Sequence, residues 1–109
     1  MKFMKWQSQI LKGSLEFIIL LVLEKNECYG YELIKKIKSL IDIEASEGTV
    51  YPILNRLKNL GLVTSRWEHR ETGVPRKYYS ITDQGEKMLT EMKTFWMKFT
   101  DSINNLMEK

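Results

Sequence analysis

The side chains best suited to chemistry at a surface gather on one side of a short apolar repeat. Val50, Leu54 and Leu57, with Ile53 beside them, recur at three- and four-residue intervals and make one apolar face of a helix. Thr49, Tyr51, Asn55, Arg56 and Asn59 lie on the other side. Their hydroxyl, amide and guanidinium groups are types that reach base edges and phosphates. Gly61 is expected to end the helix in a left-handed cap, with extended chain from Leu62. A helix of this kind suits insertion into a major groove. An ordinary amphipathic surface helix has the same pattern, so the neighbouring elements must decide.

Catalytic chemistry finds little to work with. His69 is the only histidine and falls in a predicted exposed hairpin, where a solvated or structural role is the plain reading. Cys28 sits in a predicted turn with no histidine near it in sequence, which is weak support for a nucleophile. Cys/His clusters with metal-ligand spacing and glycine-rich phosphate loops are absent from the sequence. The carboxylates are scattered over helix surfaces. No catalytic residue, metal or cofactor is expected.

With 109 residues the chain is expected to form one domain with a modest core. The net charge of +3 is mild, but its distribution is uneven. Residues 46–82 carry 6 basic and 3 acidic side chains, whereas the flanking segments are nearly balanced. That local excess suits an anionic partner without demanding one. A single cysteine fits a reducing cytosol. Lys2 and Lys5 are not followed by a signal-peptide pattern, and the longest apolar run, residues 17–23, is far short of the roughly 20 a membrane span needs. The expectation is a cytoplasmic protein with no membrane partner.

Residues 7–24 are predicted to form a helix, with Ser14 able to cap a shorter version starting at Leu15. Leu11, Leu15, Ile18 and Val22 make one stripe, and further apolar residues fill most of the remainder, so the helix must be covered on several sides. Residues 26–28 read as a turn. A second helix starts at residue 29 or 30 and runs to about 41, with Leu33, Ile34, Ile37 and Ile41 inward and Glu32, Lys35, Lys36 and Lys38 outward. Residues 42–45 connect it to the helix described first, which completes a helix-turn-helix pattern. Pro52 favours a late start at Gly48 or Thr49, because an interior proline costs roughly 3 kcal/mol.

Residues 62–69 and 76–82 read as strands, separated by turn chemistry at Arg70-Glu71-Thr72-Gly73-Val74-Pro75. His69, Arg70, Arg76 and Lys77 flank this hairpin. By itself it could be a merely solvated hairpin; after a helix-turn-helix it becomes a wing, able to reach phosphates or a minor groove. Thr82 is expected to cap a last helix from Asp83 to about Met107. Leu89, Met92, Trp96, Phe99, Ile103 and Leu106 step by three and four along it, a heptad seam of about two and a half repeats. A second copy of the chain is the simplest cover for this seam, giving a homodimer with those six residues at its interface.

Four stretches together resemble the PadR family of bacterial transcriptional regulators: Tyr29-Gly30-Tyr31-Glu32-Leu33, residues 48–57 (GTVYPILNRL), Gly61-Leu62-Val63, and residues 75–82 (PRKYYSIT). The resemblance covers almost the whole chain. The single C-terminal helix is similar to the short subfamily that includes the multidrug-sensing repressors. The fold implied is mostly α with a small β-hairpin: a winged helix-turn-helix over residues 1–82, and a long C-terminal dimerisation helix over 83–109 packed with the N-terminal helix. The function implied is a dimeric repressor on double-stranded operator DNA. Its implied contacts are Ser46, Thr49, Tyr51, Asn55 and Arg56 in the major groove, Tyr31 and Lys35 near phosphates, and Gly73, Arg76 and Lys77 in a wing whose tip carries the acidic Glu71. The resemblance also implies a planar aromatic small-molecule effector at Trp96, with Ile10, Phe17, Leu21, Met92 and Thr100 around it. Bulky residues here leave both an open pocket and a filled seam in play. A winged-helix protein–protein module and a PadR-like regulator without a ligand are the alternatives.

Overall fold

The computed structural model describes residues 2–41 and 46–108. The predicted connection through Asp42 and Ala45, and the inward placement of the Ile41 side chain, lie outside what it describes. In chain order the elements are α1 (Phe3–Lys25), β1 (Cys28–Tyr29), α2 (Gly30–Ile41), α3 (Glu47–Asn59), β2 (Val63–Glu68), β3 (Arg76–Ile81) and α4 (Asp83–Glu108). The fold is mostly helical with a small antiparallel sheet, as expected, and has the winged-helix arrangement.

The core forms where the apolar stripes of the helices converge on the inner face of the sheet. Ile19 and Leu20 of α1, Leu33 and Ile37 of α2, Val50 and Leu54 of α3, and Leu89 of α4 have no exposed surface. Val63 and Tyr79 close the sheet side at 2% and 3% exposure. Each such side chain contributes about 1.5–3 kcal/mol on burial. By length and composition α1 would also suit a membrane span, with a mean hydropathy of 1.2 over its best window. Its C-terminal half is instead this domain's central core helix.

Four local expectations are corrected. First, α1 begins at Phe3 rather than residue 7, and Ser14 caps nothing. With the helix continuing on both sides of it, the Ser14 hydroxyl donates back to the carbonyls of Ile10 (2.9 Å) and Leu11 (3.3 Å).

Second, α3 starts early, at Glu47, so Pro52 stands inside it. The amides of Thr49 and Val50 both donate to the Ser46 carbonyl, at 3.1 and 2.9 Å. The proline removes the donor that would have met the carbonyl of Gly48. Both residues are exposed, so water can replace that bond, and the burial of Val50 and Leu54 outweighs the local penalty.

Third, β1 lies where a turn was expected at Cys28. Its two residues pair antiparallel with β3, Cys28 opposite Tyr79 and Tyr29 opposite Tyr78, giving the sheet order β1-β3-β2. Fourth, the hairpin strands are slightly shorter than predicted, with Trp67 opposite Lys77 and Glu68 opposite Arg76.

The helix ends hold as expected. Gly61 (φ +78°) terminates α3, with the Leu62 amide donating to Leu57 and the Gly61 amide to Lys58, each at 3.0 Å. This double bond pattern needs a left-handed residue where Gly61 stands. The Thr82 hydroxyl accepts from the Gly85 amide (3.0 Å) and donates to the Gly61 carbonyl (2.7 Å), so one side chain starts α4 and ties it to the end of α3.

Candidate nucleic-acid interface

The polar face of α3 is not uniform. Asn55 and Arg56 are exposed, but Arg56 turns toward α1, where its Nη1 pairs with Glu16 at 2.8 Å. Ser46 stands ahead of the first turn, its hydroxyl 3.1 Å from that of Thr49. Tyr51 leans the other way, toward the sheet. Its ring lies so close over Gly30 that a Cβ built there would come within 2.6 Å of Tyr51 Cζ. Gly30, at the start of α2, is therefore a seat for Tyr51, and burial pushes the Tyr51 phenol above its ordinary pKa, with Glu47 adding to the shift.

Between Tyr51 and the hairpin lies a cleft of about 500 Å³. Arg76 and Lys77, both expected in the wing, reach it together with Arg70. Their charges rest on aromatic faces: the Arg76 guanidinium is 4.4 Å from the ring centre of Tyr29, and Lys77 Nζ is 5.7 Å from Trp67 and 5.6 Å from Tyr79. Gly73 (φ +94°) turns the exposed tip. Tyr31 and Lys35 stand outside the cleft on the flank of α2, with Lys35 Nζ 5.3 Å above the Tyr31 ring. The structure thus brings Tyr51, Arg76 and Lys77 together and leaves Asn55, Arg56, Tyr31 and Lys35 at separate points around them.

Sequence reasoning missed Trp67 and Tyr29 as lining residues. Strand alternation alone left Trp67 without a partner; its register opposite Lys77 is what aims it at the cleft. Tyr29 depends on β1, where the sequence predicts the end of a turn and the start of a helix.

A second concavity lies between α1 and α4. Phe17 and Trp96 meet with ring centres 5.4 Å apart, and a cavity of about 350 Å³ is lined by Phe17, Met92, Trp96, Phe95, Gly13 and Ser14, with Glu91 at its edge. Three of the expected effector residues, Phe17, Met92 and Trp96, line it. Leu21 opens instead onto a separate groove with Lys25 and Lys36. Ile10 is 45% exposed, and Thr100 donates to the Trp96 carbonyl at 2.9 Å.

Along the seam of α4, cover runs out toward the C-terminus. Leu89 is fully buried, Trp96 is 36% exposed, Phe99 46% and Leu106 72%. Phe3, Met4 and Trp6 at the start of α1 are likewise exposed, leaving apolar surface on both long helices.

The family model for PadR-like transcriptional regulators matches residues 19–91. A PadR-like transcriptional regulator from Bacillus cereus is 39% identical, with a TM-score of 0.84 over 93% of this chain and 98% of that one. A PadR-like transcription factor from Bacteroides fragilis is 38% identical, with a TM-score of 0.79 over 94% and 98%. The negative transcriptional regulator PadR of Bacillus subtilis is 31% identical over 77 residues; the match spans 69% of this chain and 42% of that longer protein. Proteins of this kind regulate transcription rather than catalyse reactions. The chain belongs to the PadR-like family of transcriptional regulators.

Proposed function

We propose that the chain is a dimeric repressor that reads operator DNA with α3 and the β2–β3 wing, and that a planar aromatic molecule at Trp96 releases it. In this reading residues 1–82 bind DNA and 83–109 hold two copies together. The carrying observation is the pairing of two incomplete surfaces in one chain: a polar helix beside a cationic hairpin, and an apolar seam whose outer half has no cover among the described residues.

The seam supports the dimer. Trp96, Phe99, Ile103 and Leu106 share one side of α4 and are 36–72% exposed, more apolar surface than a monomer would leave in water. A symmetric pairing places two copies of α3 at a fixed separation, as a dyad operator with half-sites about 34 Å apart requires. Repression as the sign of regulation follows the Bacillus subtilis relative, whose name is that of a negative regulator. The effector reading rests on the cavity beside Trp96, with aromatic rings to stack and Met92 to adapt.

The test is a gel shift of the purified protein on DNA upstream of its own gene and neighbouring genes. A salt-sensitive shift with two protein copies per site is expected, and no specific shift on any of these duplexes contradicts the proposal. For the effector, planar aromatic compounds should quench tryptophan emission and release the DNA, and Trp96→Ala should lose both responses. Quenching that leaves the DNA bound overturns the effector part alone.

A further inference from the structure

We propose that the cleft between α3 and the hairpin is a grip for the sugar–phosphate backbone of one DNA strand, with Trp67 a contact residue in it. The inference rests on the DNA-binding reading and adds to it a site and a residue.

The cleft gathers Arg70, Arg76 and Lys77 and has no carboxylate in its lining among the described residues. None of these three cations forms an ion pair among the described residues. Arg66, one residue before Trp67, is held by Glu27 and lies 3.6 Å from Glu68. By contrast the three cations that reach the cleft, Arg76 among them although it stands opposite Glu68, are left open. An anion is the partner this asymmetry suits.

Trp67 is free to make a contact. It is 59% exposed, so the core does not require an indole there. Lys77 Nζ sits over one part of its ring, and the remainder faces the cleft. Tyr51 forms the opposite wall, fixed by its seat on Gly30. Aromatic walls with cations between them match a chain of alternating sugar and phosphate: apolar sugar faces lie against rings, and phosphate oxygens accept from guanidinium, ammonium and phenol.

If α3 occupies a major groove and the hairpin tip the neighbouring minor groove, the strand dividing those grooves must pass between them. The cleft is the space between them. A free phosphate would meet the same charges but would have no use for the two aromatic walls.

The test uses the full-length protein and an upstream duplex that it shifts. The DNA-induced change in tryptophan emission is compared between the wild type and Trp67→Phe, and affinities are measured against salt. The proposal expects part of the emission change to vanish in Trp67→Phe. Trp67→Ala should weaken binding about tenfold on different duplexes alike, and Trp67→Phe, which keeps a ring, under about threefold. Lys77→Ala and Arg70→Ala should each reduce the slope of log affinity against log salt by about one. A shifted duplex with an unaltered Trp67 signal, or Trp67→Ala binding as tightly as wild type, overturns the grip while leaving the regulator standing. An equal emission change from inorganic phosphate at matched ionic strength marks a small-anion site and also overturns it. Failure to shift any duplex overturns the DNA-binding reading and the grip with it.

Discussion

Arg56 on α3 and Glu16 on α1 meet at 2.8 Å, and the residue after Glu16, Phe17, is the one that packs on Trp96. Two adjacent positions of one helix therefore touch the proposed reading helix and the proposed effector cavity. The Arg56 side chain is 69% exposed, so the pair contributes little to stability, about 0.2–1 kcal/mol. Its larger effect is on availability: Arg56 must leave Glu16 to meet DNA.

Removing that competition should strengthen DNA binding. Glu16→Gln is expected to raise affinity up to about fivefold, the equivalent of a surface ion pair, and Arg56→Ala to lower it. Fluorescence anisotropy on a labelled duplex measures both. Weaker binding by Glu16→Gln would show that the carboxylate orients Arg56 for DNA rather than withholding it.

Two glycines should separate function from folding. A Cβ at Gly85 would meet the backbone of Leu62, 3.0 Å from its carbonyl carbon, and the Ile81 side chain at 2.7 Å. Neither the Leu62 carbonyl nor the backbone at the buried Gly85 can yield cheaply, so Gly85→Ala is expected to cost about 1–3 kcal/mol. At Gly30 the obstacle is the Tyr51 ring, which can swing outward. Gly30→Ala should therefore lose less thermal stability than Gly85→Ala but clearly weaken DNA binding by displacing Tyr51 from the cleft wall. Thermal melts and anisotropy on both variants check the contrast.

Stability should fall in alkali. Burial raises the Cys28 thiol, partly offset by Lys36 at 3.5 Å, and burial raises the Tyr51 and Tyr79 phenols. In each case the folded chain holds its proton to higher pH than the unfolded chain does. Stability is thus fully present below the unfolded pKa values and lost as pH rises through the folded ones. The decline should begin near the ordinary thiol range, about pH 8.5, and steepen through the phenol range near pH 10. Cys28→Ser should remove the earlier part of that decline in denaturant titrations run from pH 7 to 11.

Elements whose signals are local were legible in the sequence. The three-four spacing of α4, Thr82 at its start and Gly61 at the end of α3 all stand as predicted, because capping geometry and helical periodicity depend on a few neighbouring residues. What failed depended on partners distant in sequence. β1 exists only because Cys28 and Tyr29 find β3 some fifty residues later. The early start of α3 reflects the burial of Val50 and Leu54 overriding the proline rule at Pro52. The candidate site divides the same way. Lys77 and Tyr51 could be named from residue type and motif, whereas Trp67 needed the hairpin register, and the turn of Arg56 toward Glu16 needed the crossing of α1 and α3. Leu21 joins the effector residues only through the family resemblance, and it faces another groove.

The central claim is that the α4 seam joins two reading helices and that DNA binding needs both. Phe99→Glu/Ile103→Glu places two charges on exposed seam positions far from α3 and the hairpin, and circular dichroism should show the helices intact. Sedimentation and DNA anisotropy on this variant and the wild type form the most direct test. The account predicts a wild-type dimer, a monomeric variant, and a loss of DNA affinity of about a hundredfold or more as the second half-site contact is lost. A variant that is monomeric yet binds the duplex as tightly as the wild type would contradict it.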